Sequence, residues 1–188
     1  MFEDYSERLF AHYVAGRWRA PFVSAAIPVR LADGHVPGQI IPAGPRDVAR
    51  AAAARRGAEP AAIEHLARRV EAAQSELSQA IAAQTGHQPD PEQILAMAAA
   101  MRKASATDHG VILSAEHTGL EQIGKALGAG LSKGVIWCPH PTQALLATTF
   151  ATVVHEAELP AGAFALLHAR VDTTEAALRA SVLPIHLI

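Results

Sequence analysis

From His109 to Ile188 short apolar runs alternate with helical stretches, in the order GVILSA, Leu120 to Leu127, KGVIWC, Thr142 to Glu158, AFALLH, Thr173 to Ser181 and PIHLI. Four strand candidates alternating with three helices leave few folds open. Parallel strands need long crossovers, usually helical, and those crossovers run right-handed and cover the faces of the sheet. The segment therefore predicts an α/β fold, half of a doubly wound parallel sheet with flanking helices. Its last run, Leu183 to Ile188, must form an edge or lie under another chain, and an uncovered apolar edge strand is an association site.

The region before it reads differently. Residues 1–60 are punctuated by Gly16, Pro21, Pro28, Gly34, Pro37, Gly38, Pro42, Gly44 and Pro45, with the apolar runs YVAG, SAAIPVRL and QIIPA between them, which predicts short strands and turns. Asp47 is placed to cap a helix through Ala54 and Arg55. Between Ala61 and Gln84 the residues Ile63, Leu66, Val70, Leu77 and Ile81 recur at helical spacing and should face a core. Thr85, Gly86 and Pro89 end that stretch, and Pro91 opens another helix through Ile94, Met97 and Met101, where the first turn needs no amide donor. The organisation expected is one domain over 1–188: a hairpin and turn region over 1–60, helices over 61–108 and the half sheet over 109–188.

Composition excludes several function classes. A chain of 188 residues, 50% hydrophobic and 18% charged, can bury a single core. With 16 basic against 18 acidic residues the net charge is -2, so no basic field gathers phosphates and nucleic acid is not expected as a partner. No apolar run reaches the roughly 20 residues of a membrane span, and the start MFEDYSERLF carries acids where a signal peptide carries basic residues. With one cysteine, Cys138, there is no internal disulfide, and a cytoplasmic setting fits. The ten histidines show no spacing that sets two ligands on one helical face, so no metal is expected.

The stretch Ile123 to His168, IGKALGAGLSKGVIWCPHPTQALLATTFATVVHEAELPAGAFALLH, resembles one segment of the aldehyde dehydrogenase superfamily. The family writes it as a helix ending Ala-Leu-x-x-Gly, a strand ending Lys-Pro-Ser-Glu, a helix ending Glu-Ala-Gly-Leu-Pro-x-Gly, and a further strand. YVAGRWRAP (13–21) resembles the family's N-terminal hairpin, RDVARAAAARRGA the helix after it, and ELSQAIAAQTGH the helix ending in Glu-Thr-Gly-Lys. The resemblance implies the N-terminal part of the family fold, including about half of its Rossmann-like nucleotide-binding sheet, in a chain that is truncated relative to complete members.

What it implies about chemistry is mostly loss. The family's Lys-Pro-Ser-Glu, whose lysine and glutamate hold the cofactor's adenosine ribose, stands here as Cys138, Pro139, His140 and Pro141. Its Pro-Trp-Asn-Phe-Pro corresponds to Ala115 through Gly119, with His117 in the place of the asparagine that helps bind the oxyanion. No Gly-x-Gly-x-x-Gly follows a strand, and the glutamate base and nucleophilic cysteine of the family would lie beyond Ile188. No cofactor is expected, with at most weak NAD(P) binding.

Three functions follow as expectations. The first is a non-catalytic association or regulatory subunit that pairs with itself or a partner through the C-terminal edge strand. The second is a repurposed small-molecule enzyme or binder that uses the former cofactor crevice. There Glu116 and His117 would supply an acid-base pair and Cys138 and His140 a thiol beside an imidazole. Against this stands the simpler reading of Glu116 and His117 as an exposed polar turn, of Cys138 as a small buried residue and of His140 as a surface histidine in a Pro-flanked turn. The third is the nucleotide-binding part of a split NAD(P)-dependent enzyme, against which the lost lysine and glutamate contacts weigh.

Overall fold

The computed structural model describes residues 9–22, 25–181 and 183–188; the acidic residues 1–8 of the N-terminus lie outside this range. The alternation after His109 folds as expected. Strand β6 (Val111–Leu113) leads to α5 (Leu120–Leu131), then β7 (Val135–Cys138), α6 (Ala144–Glu156), β8 (Phe164–Leu166), α7 (Val171–Ala180) and β9 (Ile185–Leu187). A single 3-10 turn, Pro141–Gln143, precedes α6. The strands pair in parallel, Val135 opposite Phe164, Val111 opposite Ile136, and Val111 opposite Ile185 on its other side. The chain therefore runs outward from β6 through β7 to β8 and returns to place β9 beyond β6. That reversal makes the sheet doubly wound.

The N-terminal hairpin extends the same sheet. Strands β2 (His12–Val14) and β3 (Arg17–Arg19) pair antiparallel across Ala15 and Gly16, both at positive φ as a tight hairpin turn requires. Tyr13 then pairs with Leu166, so the six-stranded order is β3-β2-β8-β7-β6-β9. A separate three-stranded sheet joins β1 (Leu9–Phe10), β5 (Gly38–Ile40) and β4 (Ile27–Val29). β9 forms one edge, with Leu187 68% exposed.

Side-chain alternation along the strands gives the sheet two apolar faces. Ile112, Val135, Trp137, Phe164 and Leu166 face α5 and α6 together with α2 (Pro60–Ala72), α3 (Gln74–Thr85) and α4 (Pro91–Lys103). Val111, Ile136, Cys138, Ala165 and Leu167 face the other side, among Val48 and Ala51 of α1 (Pro45–Ala54) and Leu178 of α7.

The helices depart from the sequence reading at three points. The stretch expected as one helix over 61–84 bends at Ala73, whose ψ of 20° is not helical. No proline or glycine causes this; the bend keeps Leu66, Val70 and Leu77 all fully buried as the chain passes from α4 to α6. Asp47 sits inside α1 rather than at its cap. Gly44 is the cap residue, and the Asp47 carboxylate reaches back to accept from the Gly44 amide at 3.2 Å and from the Phe22 amide at 3.3 Å. Beyond α6, Glu158 takes φ 50° where the family writes glycine, a conformation that costs a non-glycine residue about 1 kcal/mol.

The largest interhelical contact among the described elements joins α4 and α5. Asp90 caps α4 by accepting from the Glu92 amide at 3.0 Å, and Pro91 follows at the first position. Two glycines of α5 bring the helix backbones together: a Cβ on Gly124 would collide with the Met97 carbonyl, and one on Gly128 with the Met101 carbonyl.

The opposite face holds buried polar groups. His12, Asp47 and His168 are each at most 1% exposed. The His168 amide donates to His12 Nδ1 at 3.2 Å, which puts the proton of neutral His12 on Nε2, 4.0 Å from the Asp47 carboxylate. His12 Nε2 and both ring nitrogens of His168 have no hydrogen-bond partner among the described residues. Burial, helped by the charge of Arg50, lowers the His12 pKa to about 4. Burial and the neighbouring His12 lower that of His168 to about 3, with the Ala11 backbone pulling the other way.

Two outcomes follow. Gly128→Ala should destabilise by about 3 kcal/mol or more, a fall of about 6–12 °C in Tm, because the added methyl meets backbone rather than a movable side chain. Gly119→Ala, with open space at its Cβ, should be near neutral in the same calorimetry. For the imidazoles, the unfolded chain takes up protons near 6.5, whereas the native state resists until about 4 for His12 and about 3 for His168. The unfolded state thus holds more protons in that window. Stability should fall as pH drops from about 6.5 toward 4, by on the order of 3 kcal/mol for each group. His168→Leu should flatten that loss; a Tm unchanged between pH 7 and 4.5 would contradict the assignment.

Candidate functional site

Open parallel sheets place ligands beyond the carboxyl ends of their strands, and here β6 and β7 end side by side. A buried polar knot holds those ends. Trp137 Nε1 donates to the Ser114 hydroxyl at 3.0 Å, that hydroxyl donates to Gln143 Oε1 at 2.6 Å, and Gln143 Nε2 donates to the Ala115 carbonyl at 3.0 Å. Each of the three side chains in this knot has a partner, which is the condition under which a buried network rigidifies a core. Gln84 secures the next segment: its amide nitrogen donates to the Pro141 carbonyl at 2.9 Å, and its oxygen accepts from the Leu145 amide at 2.9 Å in the first turn of α6. Its amide donates and accepts at once, which a carboxylate in this place could not do.

Above this floor lies a cleft of about 760 Å³. Ile81, Gln84 and Thr85 of α3 form one wall, with Gln93 and Ala96 of α4 beside them. Residues 116–119, Leu120 and Glu121 of α5 form the second wall, and Thr142, Gln143 and Leu146 close it from the α6 side. The apolar surface comes from Ile81, Pro89, Ala96, Leu120 and Leu146, with the charge concentrated in Glu116 and Glu121 and imidazoles at His87 and His117. The size suits a small organic ligand, and an apolar lining with a few polar groups is the usual character of such sites.

The four residues singled out in the sequence do not converge. Glu116 and His117 are exposed in the turn after β6 and line the cleft; neither side chain has a hydrogen bond or ion pair among the described residues. His140 lies outside the cleft lining. Its Nδ1 accepts from the Thr142 amide at 3.3 Å and meets the Thr142 hydroxyl at 2.8 Å, so the ring caps the 3-10 turn. Cys138 is further removed. Trp137 points at α6, edge-on to Phe150, so alternation sends the next side chain to the opposite face, where Cys138 is 1% exposed. Burial pushes its pKa up to about 12, away from the thiolate that nucleophilic chemistry needs.

The polar knot escaped sequence reasoning, because Ser114 and Gln143 carry no motif. A tryptophan inside an otherwise apolar strand was the available sign, since a buried indole N–H needs an acceptor, which here is Ser114 just after β6. Among the described residues no three His, Cys, Asp or Glu side chains gather as a metal's ligand set, and no helix is long and apolar enough to cross a membrane.

Solved structures place this arrangement. Lactaldehyde dehydrogenase from Escherichia coli superposes with a TM-score of 0.79 at 17% identity, over 95% of this chain and 46% of that one. Aldehyde dehydrogenase C from Pseudomonas syringae, solved as a mutant with NAD+ and octanal, gives 0.74 at 19% identity over 99% of this chain and 50% of that one. A putative aldehyde dehydrogenase from Burkholderia cenocepacia gives 0.74 at 21% identity, over 94% and 51%. No family profile matches the sequence, and no curated protein does. At these identities the likeness establishes the fold: the parallel sheet and helices are arranged as in part of these aldehyde dehydrogenase structures. The chain spans about half the length of the solved proteins it matches.

Proposed function

We propose that this chain, built on the aldehyde dehydrogenase fold, binds a small amphipathic molecule in the cleft beyond β6 and β7 and does not oxidise it with its own thiol. The cleft carries the proposal: it has apolar walls of suitable size, and Glu116, His117 and Glu121 stand at its polar end. Two carboxylates there favour a hydrogen-bond-donating or cationic head group, while Ile81, Ala96, Leu120 and Leu146 accept an aliphatic body. The octanal held by the Pseudomonas syringae enzyme is a ligand of this general shape. By the resemblance, His117 takes the place of the family's oxyanion-binding asparagine, so a ligand's polar end would meet an imidazole there.

Cofactor chemistry is not part of the proposal. The resemblance assigns ribose binding to a lysine and a glutamate, and Cys138 and Pro141 offer neither an ammonium nor a carboxylate. The thiol of Cys138 is sealed beneath the sheet. A second reading, a non-catalytic subunit that associates through β9, is favoured by one observation: Leu187 stands 68% exposed on an edge strand with an unpaired outer side among the described elements.

Thermal-shift titrations test the primary reading. Octylamine should raise Tm, by an amount corresponding to about 2.7 kcal/mol at a hundred times its Kd, and 1-octanol should act more weakly. NAD and NADP should not raise it. Ala96→Trp, which fills the cleft from α4, should remove the octylamine response while leaving the ligand-free Tm within a few degrees. Stabilisation by NAD, or an octylamine response undiminished in Ala96→Trp, would overturn the proposal.

A further inference from the structure

A second cavity of about 500 Å³ lies on the helical face beside β9; it shares only Glu121 with the cleft and does not depend on the function proposed for it. Its floor is made of small residues of α4 and α5, Ala100, Ala126 and Ala129. Around that floor stand Lys103 in the last turn of α4, Lys125 on α5, the hydroxyl residues Ser105 and Thr107 of the connecting loop, and the imidazoles of His109 and His186. The two rings stack with centroids 4.1 Å apart and planes 17° from parallel. Neither lysine makes a hydrogen bond or ion pair among the described residues, and in a protein of net charge -2 two ammonium groups against the single lining carboxylate of Glu121 are a local excess of positive charge.

Other charges nearby do not cancel it. Asp108 is engaged by Arg55 at 3.1 Å, and Glu121 is the one carboxylate lining the cavity. Helix dipoles do not explain both lysines: Lys103 sits where the α4 C-terminus attracts a cation, but Lys125 lies in the middle of α5. Stacked imidazoles are a poor arrangement for two cations, and burial together with His186 lowers the pKa of His109 while Asp108 raises it. A bound anion would relieve that conflict by favouring protonation of both rings.

We propose that this cavity binds a small phosphorylated anion, held by Lys103 and Lys125, hydrogen-bonded by Ser105 and Thr107, and gripped more tightly as the stacked pair His109 and His186 takes up protons. The groups facing the pair are Lys103, Lys125, Glu121, Asp108 and Arg55. Histidine is the one side-chain type in the cavity whose ordinary range lies near neutral pH, and burial together with His186 moves His109 below that range. The sign is fixed: binding that favours the protonated rings strengthens as pH falls.

Calorimetric titration of the full chain tests this with three probes. Sulfate keeps its charge of two across this range and isolates the protein's own titration; phenyl phosphate and inorganic phosphate separate an ester from the free ion. Saturable sulfate binding should tighten about fivefold from pH 8 to pH 6. Lys103→Ala and Lys125→Ala should each weaken it about tenfold, while Lys133→Ala, outside the cavity, should not. His186→Asn should reduce the pH dependence, His109→Asn with His186→Asn should remove it, and both should keep binding at pH 8. Phenyl phosphate binding more tightly than phosphate at pH 8 would assign an ester, and the reverse order free phosphate. Absence of saturable binding by all three probes, or affinity unchanged in both lysine variants, would overturn the proposal.

Discussion

The backbone contact between α4 and α5 is the constraint on which the rest depends. Gly124 and Gly128 let α5 lie directly on the carbonyls of Met97 and Met101, so the two helices pack as one slab over Ile112 and Trp137. Because protein interiors pack like crystals, a slab fixed in this way also fixes what hangs from its ends. At one end the first turns of α4 and α5 stand apart and become walls of the cleft. At the other, the α4 C-terminus and the middle of α5 bring Lys103 and Lys125 to the second cavity.

The sheet adds a second constraint, its alternation. One side of β7 carries Trp137 into the helical slab and the polar knot with Ser114 and Gln143; the other carries Cys138 into the apolar layer under α1 and α7. The indole and the thiol are neighbours in sequence and separated by the sheet in space. A site that used the imidazole turn after β6 together with this thiol would need the strand to slip by one residue, which would reverse every side chain along it. The chemistry available in the cleft is therefore that of carboxylates and imidazoles.

Much of the fold was legible because it rests on period and punctuation. The alternation after His109 gave the parallel strands, the loose family pattern gave the hairpin around Ala15 and Gly16, and Pro91 and Gly86 bounded helices by their own backbone chemistry. What stayed hidden depends on tertiary contact. The bend at Ala73 has no local cause, the role of Asp47 depends on Gly44 and Phe22, and the convergence of residues 81–96 with 116–121 and 142–146 joins segments that share no motif. Of the four proposed site residues, Glu116 and His117 could be placed from the end of a strand, whereas Cys138 could not be placed without knowing which face Trp137 occupies. Glu158 shows the same limit from another side: its left-handed backbone is carried by a residue type that does not announce it.

If the α4 and α5 slab holds open a ligand site above β6 and β7 while the thiol lies sealed on the far side of the sheet, bound octylamine must touch one face of the sheet and not the other. Intermolecular nuclear Overhauser effects between bound octylamine and methyl-labelled protein should then give cross-peaks from the alkyl chain to the methyls of Ile81, Leu120 and Leu146, with none to Val48, Ile136 or Leu167. Cross-peaks to that second set, or to neither, would contradict this arrangement.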